Sequence, residues 1–298
     1  MSASHASSQN LRGILLMVAS MALFGVEDMF LKWAAVGLPV GQIIFVSGAF
    51  GLPVFVAMAW VQGQRIVVRA ALQPAVTARN IGEMIGSAGY VAALATVPLS
   101  TVSAVLQAMP LAVTMAAALF MQEQVGWRRW TAIAVGFAGV LLVIRPGMDG
   151  FRPEALYVLV TVAGLTLRDL ASRRIPAVVT TAQVSAWGLM AVAVLGAGMM
   201  LASGEVRAVS AGQGLVLLGA VAFGTAGYWA ITAATRTGEV SVVAPFRYTR
   251  LVFAMAIGAL VFGEWPDGWT YAGAALIIGS GLYSFARERA RKRASHAG

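Results

Sequence analysis

The stretch "LFGVEDMFLKWA", Leu23–Ala34, places two adjacent carboxylates, Glu27 and Asp28, in a run that is otherwise almost wholly apolar. The whole chain of 298 residues has this character, since 59% of its residues are hydrophobic and 11% are charged. A soluble domain carries about 25% charged residues. The composition therefore predicts a polytopic membrane protein, in which buried carboxylates need partners or water.

Apolar runs of roughly 20 residues, long enough to cross a bilayer, recur along the chain. The first run is too long for the apolar core of a cleaved leader, so it is predicted to be a retained helix, preceded by a disordered "SASHASSQN" tail. The fold class is therefore predicted to be all-α, with ten transmembrane helices. The predicted spans are Leu11–Leu31, Val40–Val61, Asn80–Val97, Thr101–Gln122, Trp130–Ile144, Ala155–Ala171, Val178–Leu201, Gly214–Thr235, Val240–Gly263 and Trp269–Phe285.

Several kinds of chemistry are missing from the sequence. It has no cysteine, both histidines (His5 and His296) lie in the terminal tails, and no metalloprotease, P-loop or nucleophile-elbow motif occurs. We therefore expect no metal, no cofactor and no catalytic residue, and the protein is predicted not to be an enzyme. The absence of a nucleotide-binding motif also excludes ATP drive by this chain alone.

The formal net charge of +9 follows from topology. Lys and Arg favour cytoplasmic loops, and the predicted helix directions put 14 of the 21 basic residues on the side of the N-terminus and 4 on the other side. Both termini are therefore predicted to be cytoplasmic, in an inner membrane, and nucleic acid is not expected as a partner. The 14 are Arg12, Arg65, Arg69, Arg79, Arg128, Arg129, Arg173, Arg174, Arg236, Arg287, Arg289, Arg291, Lys292 and Arg293.

The second half of the chain repeats the first at one constant separation, the distance along the chain from Asp28 to Asp169, which we call the repeat offset. At this offset Gln42 also matches Gln183, Glu123 matches Glu264, and Lys32 falls opposite Arg173. Each half holds five helices, an odd number, so the second copy crosses the membrane upside down. Inverted repeats of this kind are a transporter architecture, and the predicted repeats are residues 1–144 and 145–298.

The fourth and ninth spans end in "ALFMQE" and "ALVFGE". With ten short helices in two halves, these motifs resemble the drug/metabolite transporter superfamily, in particular its EamA-type members. The likeness covers essentially the whole chain and is greatest over Val240–Leu282. It implies a substrate cavity between the halves, lined by helices one, three, four, six, eight and nine, with five and ten at the periphery. No motif selects a substrate, and aromatic amino-acid exporters of the YddG type are one candidate relative.

Ionisable and aromatic residues inside the spans are the candidate substrate-binding or gating residues, because a charge at mid-bilayer costs about 2.5–3.5 kcal/mol. They are Glu27, Asp28, Glu83, Tyr90, Arg168, Asp169, Trp229, Arg247, Tyr248 and Arg250. The inverted repeat puts Asp28 near the outer mouth and Asp169 near the inner one. Pro245 is predicted to break the ninth helix and free carbonyl groups for the cavity.

The partners of these charges are open at this point. Lys32 lies four residues after Asp28, which suits an ion pair across one helical turn. Glu27 has apolar neighbours on its own helix and is expected to face the cavity or a proton path.

The two arginines of the ninth helix also allow two interpretations. Arg247 and Arg250 either form salt bridges with Asp169 and Glu83, or they bind a carboxylate or phosphate of the substrate through the forked guanidinium group.

The predicted function is secondary active transport of a small organic metabolite, such as an amino acid, by alternating access. Export is favoured, driven by proton exchange or by the substrate gradient, so the expected partners are the substrate, the lipid bilayer and protons. Uptake of a vitamin, a nucleotide-like or a cationic metabolite is the alternative. A passive channel is one rival. Another is an intramembrane aspartyl hydrolase using Asp28 and Asp169, which needs those carboxylates a few ångströms apart. Substrate and oligomeric state do not follow from the sequence.

Overall fold

The computed structural model describes residues 3–66, 71–148, 151–176, 178–237 and 239–296. Within these ranges the chain is helical and has no strand, and we number its membrane helices α1 to α10. They are α1 Ala3–Gly37, α2 Val40–Val61, α3 Pro74–Thr96, α4 Leu99–Leu106 with Met109–Phe120, α5 Trp127–Ile144, α6 Leu156–Ser172, α7 Thr181–Ser203, α8 Ala211–Thr237, α9 Val240–Val243 with Ala244–Tyr248 and Thr249–Phe262, and α10 Gly268–His296.

The predicted fold class, ten membrane helices in two inverted halves, is confirmed. Eight of the helices are long and apolar enough to cross a membrane. The other two are α3, which carries Arg79, Asn80 and Glu83, and α10, which runs into the basic tail. The 23 residues of α3 extend about 34 Å at 1.5 Å per residue, enough for a hydrocarbon core of about 30 Å.

Three helices differ from the simple spans of the sequence. The N-terminal segment predicted to be disordered is helical from Ala3. α4 is interrupted at Gln107, and Pro110 begins its second piece. α9 narrows to a 3-10 helix over Ala244–Tyr248, as the missing amide hydrogen of Pro245 predicts.

Part of the basic-residue count lies beyond what the structure describes. Arg69 is outside the described residues, and so are the side chains of Arg236 and of the basic tail from Arg289 onward. Arg79 is described, and it is buried inside α3 instead of lying at the membrane face.

The helices pack in pairs that join the two halves. α1 packs against α8 and α6 against α3, while α2 packs with α7, α4 with α9 and α5 with α10. Exchange of the first five helices for the second five converts the α1–α8 pair into the α6–α3 pair and leaves the other pairs unchanged. This is the two-fold relation expected of inverted repeats.

Individual contacts follow the same relation. A Cβ atom at Gly86 would lie 2.6 Å from Leu165, and one at Gly227 would lie 3.0 Å from Phe24, so both glycines let a neighbouring helix approach closely. The repeat offset converts one contact into the other. The repeat seen in the sequence is therefore a repeat of packing.

Two ion pairs at opposite membrane faces are related in the same way. Lys32 Nζ lies 2.9 Å from Glu264 Oε1, and Arg173 Nη1 lies 2.8 Å from Glu123 Oε1. The first joins the ends of α1 and α9. The second joins the ends of α6 and α4, which cross the membrane in the direction opposite to α1 and α9. We call Lys32–Glu264 the outer pair, because it lies on the face away from the N-terminus, and Arg173–Glu123 the inner pair.

Asp267 begins α10 and is tied to α5. Its Oδ1 accepts hydrogen bonds from the Thr270 amide at 2.8 Å and the Thr270 hydroxyl at 2.7 Å, and Arg145 Nη2 lies 2.6 Å from Oδ2. Partial burial acts to raise the pKa of Asp267, but the hydrogen bonds from Thr270 and the Arg145 guanidinium outweigh it and hold that pKa below its ordinary value. A depressed pKa stabilises the fold above the unfolded-state pKa of about 3.9, and this contribution is lost as the pH falls through the folded-state pKa.

We expect Asp267→Ala to destabilise the protein in detergent by about 0.5–2 kcal/mol at pH 7, which is the usual effect of losing a helix cap. The Asp267 side chain is 43% exposed, so the ion pair adds little to this. Melting curves at pH 7 and near pH 3 measure the effect, and the gap from wild type should shrink at the lower pH. Asp267→Asn keeps the cap acceptor and should fall between the two. Equal stability of Asp267→Ala and wild type at pH 7 would contradict the assignment.

Candidate functional site

A cavity of about 300 Å³ lies between the two halves. Its charged and aromatic lining includes four candidates from the sequence, Glu27, Glu83, Tyr90 and Arg168. The walls come from α1, α2, α3, α6, α7 and α8, and no described lining residue comes from α4 or α9. The assignment of α4 and α9 to the wall is therefore wrong, and α2 and α7 take their place. Other lining residues are Phe24, Leu31, Ile44, Ser47, Gly51, Phe55, Arg79, Ser87, Val91, Ser185, Leu189, Val192, Ala220, Val221, Gly224, Thr225 and Tyr228.

Behind the outer half of this wall, Asp28, Tyr90 and Arg250 form what we call the outer cluster. Asp28 is 1% exposed, and Arg250 Nη2 donates to its two carboxylate oxygens at 2.9 and 3.0 Å. The Tyr90 hydroxyl also donates to Asp28 and accepts from Arg250 at 2.9 Å. The guanidinium group lies 5.2 Å from the centre of the Phe24 ring, a cation–π distance. The cluster thus joins α9 to α1 and α3.

The predicted pairing of Asp28 with Lys32 is wrong. Lys32 binds Glu264 in the outer pair and donates to the Val97 carbonyl at 2.7 Å. Asp28 is turned instead toward α9, where Arg250 neutralises it. An i,i+4 pair on a helix stabilises by only about 0.2–0.5 kcal/mol. Contacts with other helices therefore determine which groups Asp28 and Lys32 bind.

Charges at the inner half of the cavity form the inner cluster of Arg79, Glu83, Arg168 and Asp169. Arg79 Nη2 lies 2.7 Å from Glu83, one helical turn along α3. Arg168 Nη1 lies 3.5 Å from Glu83, and its Nε lies 2.9 Å from Asp169. Two arginines and two carboxylates therefore balance one another across α3 and α6.

Glu27 has a different environment from the other acids. Within the part of the chain that the structure describes, no lysine or arginine nitrogen lies within 4.0 Å of its carboxylate. The carboxylate faces the backbone of α8, since a Cβ atom at Gly224 would lie 2.7 Å from the Glu27 carboxyl carbon. Glu27 therefore faces the cavity as predicted, without a protein counter-ion.

The salt bridges predicted for the arginines of α9 are wrong. Arg250 binds Asp28, whereas Glu83 and Asp169 bind arginines of the inner cluster. Arg247 is exposed, and among the described residues it has no ion pair. Its carbonyl and that of Tyr248 accept from the Gln107 side chain at 3.4 and 3.1 Å, so these carbonyls bind α4 and do not line the cavity.

Two aromatic candidates lie away from the cavity. Trp229 is 60% exposed, because it faces outward from α8 while its neighbour Tyr228 faces inward. The hydroxyl group of Tyr248 lies against Gly281 of α10. Both aromatic side chains were predicted as site residues and are placed in packing or interfacial roles instead.

The carboxylates of Asp28 and Asp169 are engaged in separate clusters. Arg250 and Tyr90 bind the first, and Arg168 binds the second. A shared-proton pair needs its two carboxylates within a few ångströms of each other and free of such cations. The arrangement therefore argues against an aspartyl hydrolase.

Arg79 lines the cavity but was not among the candidates predicted from the sequence. Its spacing of four residues from Glu83 is the signal that could have found it, since that spacing places the two side chains on one face of α3. The hydroxyl-bearing residues of the cavity, such as Ser47, Ser87 and Ser185, carry no comparable signal because serine is common in membrane helices.

Comparison with known proteins gives consistent matches. The model of the family described as "EamA-like transporter family" matches residues 11–145 and again residues 152–285. The chain is 29% identical to a riboflavin transporter of Rhizobium johnstonii, over 70% of this chain and 69% of that protein. It is 23% identical to an S-adenosylmethionine uptake transporter of Rickettsia prowazekii, over 96% of both. It is 25% identical to the pseudopaline exporter of Pseudomonas aeruginosa, over 89% of this chain and 93% of the exporter.

A crystal structure of another protein has the same fold. It matches 94% of this chain and 98% of its own with a TM-score of 0.60, at 20% sequence identity. At that identity the likeness concerns the fold alone.

Proposed function

Because the chain belongs to the EamA-like transporter family, we propose that it is a secondary active transporter that moves a small organic metabolite across the inner membrane by alternating access. The observation that carries the proposal is the cavity of about 300 Å³ between two inverted halves, lined by charges from both. Small rigid-body motions of such halves can open one central site to either face in turn.

The outer and inner pairs are the proposed gates. Both are formed in this structure, but the side chains of Lys32 and Glu264 are 13% and 21% exposed, against 44% and 49% for Arg173 and Glu123. Exposed ion pairs contribute about 0–1 kcal/mol. The inner pair is therefore the easier gate to open.

We further propose that both termini are cytoplasmic. With Arg79 buried, 13 basic residues remain on the N-terminal side against 4 on the other side, and this excess still follows the rule for cytoplasmic loops. A reporter enzyme that is active only in the periplasm should be inactive when fused to the C-terminus and active when fused in the Phe151–Pro153 segment. The reverse pattern would overturn the orientation and exchange the names of the two faces.

We also propose a direction of transport and a substrate class. Two of the relatives are named for riboflavin and for uptake of S-adenosylmethionine, and one is named as an exporter. Export of an amino-acid-like metabolite, exchanged for protons, is our first candidate, and uptake of a vitamin or a cationic metabolite is the second. The names of the relatives support transport of a small organic metabolite.

Counterflow in proteoliposomes tests the function. Vesicles preloaded with an unlabelled candidate should accumulate the same labelled compound transiently and saturably, with a pH-sensitive dye inside to detect proton exchange. The panel should contain riboflavin, S-adenosylmethionine and aromatic amino acids. Uptake that rises linearly with concentration and ignores the preloaded compound would indicate a channel and would refute the proposal.

A further inference from the structure

The inverted repeat gives Glu27 a counterpart that is fully paired. Adding the repeat offset to Glu27 gives Arg168, and adding it to Glu83 gives Gly224. In the inner half, Arg168 and Glu83 face each other at 3.5 Å. In the outer half, the same two positions hold Glu27 and a glycine, which offers no side chain.

The next turn of the helix repeats this difference. Arg79 corresponds to Ala220 at the same offset. In the inner half, Arg79 and Glu83 fill one face of α3 with an ion pair of 2.7 Å. In the outer half, Ala220 and Gly224 line the cavity without a charged group, and the Glu27 carboxylate lies against Gly224.

The balance of charge sets Glu27 apart from the other acids. The inner cluster holds two arginines and two carboxylates, and Asp28 in the outer cluster is neutralised by Arg250. Glu27 is the carboxylate in the described cavity wall with no lysine or arginine nitrogen within 4.0 Å. A carboxylate held inside a membrane protein is costly unless a cation meets it or a proton neutralises it.

We propose that the cationic group of the transported metabolite, an ammonium, sulfonium or guanidinium group, enters the cavity beside Glu27 and binds its carboxylate. This inference rests on the proposed transport function and names the substrate class of the same cavity. Glu27 accepts the charge, and Ala220 and Gly224 of α8 offer it no competing partner from the protein. The ring pair of Phe55 and Tyr228, with centroids 5.1 Å apart, lies in the same wall for an apolar part of the substrate.

A tethered cation tests the site without a known ligand. A Cβ atom at position 224 would collide with the present position of the Glu27 carboxylate, so the carboxylate must shift in any variant. Gly224→Lys then sets an ammonium group in the cavity near Glu27, and Gly224→Met sets an uncharged side chain of similar length there. We expect the lysine variant to melt at least about 2 °C higher in detergent than the methionine variant, and we expect this difference to vanish when Glu27→Gln is added to both. Equal melting of the two variants, or a difference that persists without Glu27, would overturn the proposal.

Matched soluble probes give the second test. We use two couples of probes, each a cation and a neutral partner of similar shape that differs mainly in charge. They are choline with 3,3-dimethylbutan-1-ol, and benzylammonium with benzyl alcohol. A ligand that binds the folded state raises its melting temperature by mass action. The cation of at least one couple should stabilise the wild type and the exposed-carboxylate control Glu205→Gln, but neither Glu27→Gln nor Gly224→Lys. Stabilisation by the neutral partner to the same extent, or a cation effect that survives Glu27→Gln, would refute the site.

The transport assay separates this inference from the function on which it rests. Saturable counterflow of a neutral or anionic metabolite only, with no cation competing, would leave the transporter in place and exclude the cation site. If none of the four probes shifts the melting curve, the comparison of Gly224→Lys with Gly224→Met still decides the outcome.

Discussion

Replacing Arg250 with glutamine is expected to abolish transport and to destabilise the protein by about 3–5 kcal/mol, the usual cost of leaving one member of a buried ion pair alone. Asp28 is 1% exposed, and Arg250 donates to both of its carboxylate oxygens. The same guanidinium group binds the Tyr90 hydroxyl at 2.9 Å, so its loss also separates α9 from α3. Melting in detergent and counterflow in proteoliposomes measure the two effects.

Arg247→Gln is the matched control on the same helix. Arg247 is exposed and forms no ion pair with a described residue, so its neutralisation should change stability by less than about 0.5 kcal/mol. If the loss in Arg250→Gln comes from the stranded charge, adding Asp28→Asn should restore much of the stability. Wild-type melting of Arg250→Gln would contradict the role given to the outer cluster.

The second large effect is expected at the proposed outer gate, the pair of Lys32 and Glu264. Because the chain has no cysteine, a short bis-methanethiosulfonate reagent can link Lys32→Cys to Glu264→Cys and to no other position. Glu264 also accepts from the Leu99 amide at 2.8 Å, so it fixes the start of α4 as well as the end of α1. We expect the cross-link to reduce counterflow to the level of empty liposomes and a reductant to restore it. The two single-cysteine variants treated with the same reagent are the controls, and full activity of the cross-linked protein would show that this face does not open.

The sequence predicts the architecture well because hydrophobicity and repetition are local or additive signals. Ten apolar runs and one constant repeat offset are enough to give the helix number, the inversion and which helices of the two halves correspond. The offset also matches Lys32 with Arg173 and Glu123 with Glu264, and those four residues form the two symmetric ion pairs. A repeat therefore carries information on contacts that no single motif holds.

The partners of buried charges are harder to predict, because they depend on the rotation of each helix about its axis. Asp28 and Arg250 are 222 residues apart, and Lys32, a nearer basic residue, points elsewhere. The walls from α2 and α7 were missed for another reason. Residues such as Ser47 and Ser185 line the cavity without charge, and hydropathy does not separate them from serines that pack between helices.

The central claim is that one cavity is exposed to the two faces in turn, and side-specific labelling of that cavity tests it most directly. Ser87→Cys introduces a single thiol into the cavity wall of the cysteine-free chain. Glu264→Lys sets a like charge against Lys32 and should open the outer gate, whereas Glu123→Lys sets one against Arg173 and should open the inner gate. A change of about 1.4 kcal/mol alters the ratio of two states tenfold.

The measurement is the rate at which a membrane-impermeant maleimide labels this thiol in right-side-out and inside-out vesicles, with the Ser87→Cys protein alone as the reference. Glu264→Lys should raise labelling from the outer face and lower it from the inner face, and Glu123→Lys should do the reverse. Labelling that rises from both faces together in either variant, or that responds to neither substitution, would contradict alternating access through this cavity.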